Sequence, residues 1–322
     1  TRVRSSAASD VYKRQGEQFI MVSALVTGAT GFLGIHLVKK LKNKGFKVYI
    51  SNTKIANLEK IENLIQEFSS IKFDYIFHLA AVTKAGDYCL KHPGDQWLSN
   101  QIINTNILAY WKEKQPQAKM VCMGTSCSYS PGRLMSEENY LLGEPETSLY
   151  TYAMTKRMLL VGLQSLQKEY GLKWLYFIPS TLYGPQFELN DNHFIFDFIR
   201  NCYNAKHKDE PFVVWGDGEQ RRELIYVEDA VDAMMNLLSE ENQIFNLGSG
   251  QDYTINEFAQ KVCEIYEYDI NLIKHDMTKY IGVREKKIDT TKVMSYLNEK
   301  AFLKTSLKEG LRVSIEYFKD NI

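Results

Sequence analysis

Tyr152 and Lys156 stand four residues apart in Tyr150-Thr151-Tyr152-Ala153-Met154-Thr155-Lys156, and four residues is about one helical turn. The spacing predicts phenol and ammonium on one helix face, where the ammonium can stabilise a tyrosinate and draw its pKa down from roughly 10 towards working pH. Such a pair can exchange a proton with an alcohol or a ketone. In isolation it also reads as a surface Tyr beside a solvated Lys, so its meaning depends on what the chain places around it. Upstream, Lys119-Met120-Val121-Cys122-Met123-Gly124 reads as a strand that runs into Thr125-Ser126-Cys127-Ser128-Tyr129. Hydroxyls at the carboxyl end of a strand suggest a site.

Further upstream, Ala24-Leu25-Val26-Thr27-Gly28-Ala29-Thr30-Gly31-Phe32-Leu33-Gly34 is an apolar run that turns through three spaced glycines into an amphipathic segment. As strand, phosphate loop and helix, it assigns Gly28 to the tight turn, Gly31 to backbone approach by a pyrophosphate and Gly34 to helix–sheet packing. The bland alternative, a turn without a ligand, is disfavoured by the helical pattern downstream. Leu33, Leu37, Val38 and Leu41 form one helical face, and Gly45 sits where a C-cap belongs. The candidate dinucleotide contacts are therefore Gly28, Thr30, Gly31, Phe32, Leu33 and Gly34. After the second strand, Phe46 to Ile50, comes Ser51-Asn52-Thr53-Lys54 without an acid to accept from a ribose diol. Lys54 favours NADP(H), Asn52 serves NAD(H) equally, and both stay open.

The elements that position these groups alternate. Ile55 to Phe68 has helical spacing, and Tyr75 to Ala81 is a buried strand whose Ala80 and Ala81 let backbone lie against a cofactor, with His78 reading as a core histidine. Ile102 to Lys114 is a helix, another runs from Tyr150 to about Tyr170, and Trp174 to Ile178 is a strand. The pattern predicts an α/β fold, a doubly wound parallel sheet (Rossmann), with a smaller mixed α/β substrate lobe. We assign 21–180 to the dinucleotide-binding domain and 181–322 to the substrate-binding lobe, interleaved with it, in which His193 to Tyr203, Phe212 to Trp215, Val227 to Leu238 and Thr254 to Tyr266 are mixed elements. In sheets of this kind Gly28, Ala81 and Thr125 should converge outside the strands' carboxyl ends.

Residues 1–20 lack periodicity and precede Met21; they read as a non-native or disordered leader, with a basic, Ser-rich transit peptide as the competing reading. Lys+Arg and Asp+Glu both number 39, which leaves no global field to recruit nucleic acid or an anionic membrane. No apolar run reaches the roughly 18 residues of a membrane span. The 5 cysteines are odd in number and lack C-x-x-C spacing, against both a disulfide framework and a zinc ribbon, so a cytoplasmic protein without a metal site is expected.

Together these stretches resemble the extended short-chain dehydrogenase/reductases, the NAD-dependent epimerase/dehydratase family of sugar-nucleotide enzymes, over essentially Met21 to Ile322. The marks are the three glycines, His78-Leu79-Ala80-Ala81, Thr125 four residues before Tyr129, the Tyr152 and Lys156 pair, Pro179-Ser180-Thr181-Leu182-Tyr183-Gly184-Pro185, Trp215-Gly216-Asp217-Gly218, Arg222-Glu223-Leu224 and Val227-Glu228-Asp229. The likeness is greatest to the GDP-L-fucose synthase group, whose Ser-Ser-Cys and His match Thr125-Ser126-Cys127 and His193. The resemblance implies Tyr152, Thr125 and Lys156 at a C4 ketone, with Cys127 and His193 exchanging protons at the flanking carbons. It adds Pro179, Thr181 and Leu182 to the cofactor contacts, with Tyr152 and Lys156 shared.

Arg222 is the candidate for the substrate diphosphate, because a guanidinium fork suits paired phosphate oxygens; an ion pair with Glu223 or Asp229 is the alternative. Lys286 and Arg284 are placed to reach the nucleotide, and Trp215 is a substrate candidate for which core packing is the stronger reading. Two departures separate the chain from the fucose synthase pattern: Thr30 stands where that pattern has Arg, and the Asn52 to Lys54 region lacks a second Arg. Ser126-Cys127 also replaces the Asp-Glu of the 4,6-dehydratases. The implied activity is a GDP-4-keto-6-deoxy-sugar 3,5-epimerase/4-reductase acting as a homodimer through the Ile102 to Lys114 and Tyr152 to Tyr170 helices. The alternatives are a GDP-sugar, for example GDP-heptose, 4-dehydrogenase or 4-reductase without epimerisation, and a non-catalytic nucleotide-binding sensor or scaffold.

Overall fold

The computed structural model describes residues 12–15, 18–83, 87–279, 281–297 and 302–322. Tyr12–Gln15 (β1) and Gln18–Met21 (β2) pair antiparallel as a small sheet of their own, and the rest of the leader lies outside the described residues. Five strands then enter one parallel sheet: Ser23–Thr27 (β3), Lys47–Ser51 (β4), Tyr75–His78 (β5), Lys119–Met123 (β6) and Trp174–Pro179 (β7). Thr181–Tyr183 (β8), Val213–Trp215 (β9) and Arg221–Tyr226 (β10) leave it, and Gln243–Leu247 (β11) returns as its sixth strand beside β7. The order β11-β7-β6-β5-β3-β4 reverses direction at the β3–β5 junction, which is where a doubly wound sheet opens a crevice for a ligand.

Helices Phe32–Asn43 (α1), Ile61–Phe68 (α2), Asp87–Lys91 (α3), Pro93–Lys114 (α4) and Tyr150–Tyr170 (α5) belong to the first half of the chain. Phe194–His207 (α6) and Val227–Asn236 (α7) come next. Strand residues alternate between two cores: Leu25, Ile76, Met120, Cys122 and Tyr176 face α2, α4 and α5, whereas Val26, Phe77, Val121 and Phe177 face α1 and α7. Both faces of the sheet are thus covered, as its near-continuous apolar strands require. The α1 helix ends as its sequence indicates, with Gly45 at φ +80° and Phe46 N donating to Leu41 O at 3.0 Å.

The α2 helix is shorter than its apolar spacing predicts, because the preceding residues are claimed by side-chain turns. Asn52 Oδ1 accepts from the amides of Lys54 and Ile55, Asn57 Oδ1 accepts from Glu59, and Ala56 takes φ +54°.

A third core lies under Asp252–Thr254 (β12), Ile255–Tyr266 (α8) and Leu307–Asp320 (α10); Lys274–Asp276 (β13) pairs with β9, Glu285–Lys286 (β14) pairs with β10, and Thr291–Tyr296 (α9) packs through Val293 on the second core. Phe187, Phe196, Phe212, Phe258, Leu311 and Phe318 fill the third. The α8 helix opens on a capping box between Thr254 and Glu257. Strand β10 joins this lobe to the sheet: its Leu224 to Tyr226 pair with β8, and its Arg221 to Glu223 with β12 and β14.

Candidate active site

The nucleotide end of the site is built on close approach. Gly28 holds φ +66°, and a Cβ there would meet Ala80 N at 2.7 Å; a Cβ on Gly34 would meet Gly28 O at 2.1 Å. Gly31, the N-cap of α1, differs: a Cβ would meet only Gly28 O at 3.4 Å, so nothing inside the protein demands glycine there. Its bare backbone serves the outer side, at the amino end of a helix, where a diphosphate would sit. Ala81 lies half-buried beside Ala80, and Thr30 is exposed. The rings of Phe32, His36 and Phe196 stack edge to face, and Leu33 packs on the sheet, so both side chains serve packing. Asn52 is occupied in its own turn.

Thr27 ties this end to the catalytic helix. Its Oγ1 accepts from Leu79 N and Ala80 N, both at 3.2 Å, which leaves its proton for His78 Nδ1 at 2.9 Å. His78 Nε2 then donates to Asn104 Oδ1 at 3.0 Å, and Asn104 Nδ2 donates to Thr155 O at 3.4 Å. Burial, with the Lys156 charge adding and the Asn104 bond opposing, lowers the His78 pKa to about 4. It is a neutral core histidine, as its setting in the strand predicts.

Thr125 caps the short turn Ser126–Ser128, its Oγ1 accepting from Cys127 N at 3.3 Å. The Thr125 side chain lies beside Tyr152, and Lys156 Nζ lies 5.9 Å from the Tyr152 ring centre. Burial raises the Tyr152 pKa, with Cys127, Tyr140 and Cys89 adding to it and Thr125 opposing. This runs against the lowering expected from Lys156. Lys156 is itself desolvated, and burial lowers its pKa to about 8 with only Cys122 opposing. An ammonium that is itself hard to keep charged is a weak source of stabilisation for a tyrosinate.

Cys127 and Lys286 meet: Lys286 Nζ donates to Cys127 Sγ at 3.4 Å and lies 3.9 Å from Glu146 Oε2. His193, the N-cap of α6, is exposed, and its amide donates to Asp191 Oδ1 at 2.8 Å. Desolvation lowers its pKa, with Asp191 opposing and Lys286 adding. The Lys286 charge thus acts on Cys127 and His193 alike, where the sequence assigned this residue to the nucleotide.

Beside them runs a narrow crevice lined by Ser126, Ser180, Thr181, Arg222, Glu223, Lys286 and Ile288. Ser126, Ser180 and Glu223 were not among the expected site residues, although Ser126 belongs to the hydroxyl-rich stretch after β6; Ser180 and Glu223 carry no signal of their own in the sequence. Glu223 accepts from Gly250 N at 2.7 Å and Ile288 N at 3.0 Å, and burial raises its pKa to about 7 against those bonds. Arg222 lines the crevice while donating to the carbonyls of Arg221, Ile281 and Val283. Pro179 and Leu182 flank Thr181 at the β7–β8 turn. Trp215 corrects the core expectation: it is 55% exposed under the Lys279 ammonium, because β9 pairs with β13 at the edge of the lobe. Arg284 is exposed and paired with Asp217.

Thr125, Cys127 and Tyr152 thus lie together at the end of β6, with the glycine turn and Lys156 on the same edge of the sheet, and Lys286 reaches Cys127 from β14. Residues 24–248 match the NAD dependent epimerase/dehydratase family. Among curated proteins, GDP-L-colitose synthase of Yersinia pseudotuberculosis is 27% identical over 303 residues, 91% of this chain and 97% of that one. GDP-L-fucose synthase of Sinorhizobium fredii is 28% identical over 305 residues, 92% and 95% of the two chains. Among solved structures, a GDP-6-OMe-4-keto-L-xylo-heptose reductase from C. jejuni superposes with a TM-score of 0.82 at 19% identity, covering 94% of this chain and 98% of that one. A match over residues 24–248 of 322, carried on a sheet with the glycine turn at its switch point, places the chain: it belongs to the NAD dependent epimerase/dehydratase family.

Proposed function

We propose that the protein is an NAD(P)-dependent sugar-nucleotide oxidoreductase that epimerises C3 and C5 of a GDP-linked 4-keto-6-deoxyhexose and reduces its C4 ketone. The observation that carries this reading is the gathering of two proton-handling groups at one strand end: Thr125 beside Tyr152, and Cys127, whose amide donates to Thr125 Oγ1, met by Lys286. The curated relatives named for GDP-L-fucose and GDP-L-colitose synthesis support it.

The loop from Gly28 to Leu33, with Ala80, Ala81 and the Pro179 to Leu182 turn, would hold the dinucleotide, and the bare outer side of Gly31 fits its diphosphate. The nicotinamide, when bound, supplies hydride chemistry. Tyr152, kept protonated by burial, donates a proton to the oxygen at C4, and Thr125 hydrogen-bonds that oxygen. A raised phenol pKa suits this direction, because the group rests in its donor form. Cys127, as the thiolate that the Lys286 ammonium faces, takes the acidic proton beside the ketone and becomes a neutral thiol while the charge passes to the enolate oxygen. His193, on the opposite side of the exchange, returns a proton. Arg222 and Lys286 present the positive charge of the crevice to the substrate.

Incubation with GDP-4-keto-6-deoxymannose should consume NADPH or NADH. Tyr152→Phe should lower reduction at least a hundredfold, and Cys127→Ser should stop solvent-deuterium exchange at the flanking carbons while sparing reduction of a substrate that needs no epimerisation. Turnover with neither nicotinamide rejects the proposal. The structural likeness to a heptose reductase favours a second reading, C4 reduction of a GDP-heptose without epimerisation. Normal reduction by the wild-type protein with no deuterium exchange would select it.

We assign the protein to the reducing cytoplasm on its five free thiols, four of them buried. No helix among the described residues is long and apolar enough to cross a membrane. The partner is a second copy. Leu98 and Ile102 on α4, and Met158 and Val161 on α5, are exposed apolar residues at helical spacing on two helices packed together, with Gly162 close against Leu108.

A further inference from the structure

Two buried tyrosines outside the catalytic set connect its two halves. Tyr140 lies just after the short turn Glu137–Asn139, and Tyr176 lies on β7; both are fully buried, with ring centres 5.7 Å apart, edge to face. Their hydroxyls are 3.1 Å apart. Tyr176 Oη lies 2.7 Å from Lys156 O, and Thr125 N lies 3.3 Å from Tyr140 Oη.

The direction of these bonds is set by counting protons. A carbonyl can only accept, so the single proton of Tyr176 goes to Lys156 O. The Tyr140 proton then goes to Tyr176 Oη, and the Tyr140 oxygen accepts from the Thr125 amide. The result is an unbroken chain from Thr125 N–H through two phenols to Lys156 C=O. The rings also fix the backbone where β6 turns towards Thr125: a Cβ on Gly124 would meet Tyr176 Cε1 at 2.5 Å and Tyr140 Oη at 2.8 Å.

The coarse fastening between this turn and α5 is made elsewhere. Arg157 Nε donates to Ser128 O at 2.9 Å, and Ser128 Oγ, which also reaches Tyr140, donates to Ala153 O at 3.0 Å. The phenol chain differs in ending on the backbone of two residues of the catalytic set, Thr125 and Lys156. We infer that Tyr140 and Tyr176 are positioning residues for the reduction step, a two-phenol strut that sets the Thr125 hydroxyl against Tyr152 and Lys156. This rests on the proposed roles of those three residues in reduction. Because the strut is a single chain, loss of either hydroxyl breaks the link between its ends: without Tyr140 Oη the Thr125 amide loses its acceptor, and without Tyr176 Oη the Lys156 carbonyl loses its donor.

Tyr140→Phe and Tyr176→Phe each remove one hydroxyl and keep the ring beside Gly124. With the full chain, GDP-4-keto-6-deoxymannose and the nicotinamide it accepts, each variant should lower kcat about tenfold, as a displaced catalytic group does. Both KM values should stay within about twofold, and the primary isotope effect from 4-deuterated nicotinamide should rise. The double variant should be no slower than the slower single. Amide exchange at Thr125 should quicken in Tyr140→Phe, which removes its acceptor, a readout that needs no turnover. Unchanged kcat and isotope effect, with only the melting temperature lowered, would overturn the inference, as would unchanged Thr125 exchange. Full turnover by Tyr152→Phe would instead reject the underlying site assignment, and its loss beside fully active Phe variants would reject the strut alone.

Discussion

Tyr152 and Lys156 are both desolvated, and desolvation opposes charge on each: the phenol is held protonated and the ammonium titrates near pH 8. The folded Lys156 therefore keeps its proton below about pH 8 and loses it above, whereas a solvated lysine would lose it near 10.4. If its charge holds the nicotinamide ribose and supports proton donation, kcat for reduction should fall as pH rises through about 8. Lys156→Arg stays charged throughout that range and should flatten the decline even where its absolute rate is lower, which a pH–rate profile of the two proteins would read. That Tyr152 and Lys156 share a helix face was legible from their four-residue spacing, and that the pair matters only from the glycine turn and the hydroxyl-rich strand end around it. The protonation of the pair was not, because it depends on burial and on the neighbours Cys127, Tyr140 and Cys89, which come from other elements.

At the scale of the element, the three glycines of the β3–α1 turn separate by what surrounds them. Gly34→Ala would drive a methyl into Gly28 O, backbone against backbone, and should cost about 3 kcal/mol or more in urea unfolding. Gly31→Ala meets ordinary contact at φ −78° and should stay within about 0.5 kcal/mol of the parent, while its nicotinamide affinity falls about tenfold or more by fluorescence titration. Equal stability losses in both would dismiss a ligand-facing role for Gly31. The spacing of these glycines, the α1 face and the Gly45 cap could be read directly, since turn, helix and cap are local events. The start of α2 could not: Leu58 is buried and fits the helical period, yet Asn52 and Asn57 hold the chain in turns until Ile61.

For the whole molecule, α4 and α5 present Leu98, Ile102, Met158 and Val161 to solvent while their other faces build the core against the sheet. The proposed dimer buries this strip. Ile102→Glu with Met158→Glu should convert the sedimentation coefficient from that of a dimer to that of a monomer, with the circular dichroism spectrum preserved. A wild-type protein that sediments as a monomer at micromolar concentration would dispose of the interface.

What the sequence determined by itself is the alternation of strand and helix, the glycine turn, the Tyr152 and Lys156 pair and the hydroxyls after β6. All of these rest on period, spacing or turn chemistry within about a dozen residues. Tertiary structure alone decided that Lys286 meets Cys127, that Trp215 faces solvent, and that Tyr140 and Tyr176 join Thr125 to Lys156. Each of those contacts brings together residues from different elements, and the distance between them is set by how the sheet and the smaller lobe pack, which no local pattern in the chain encodes.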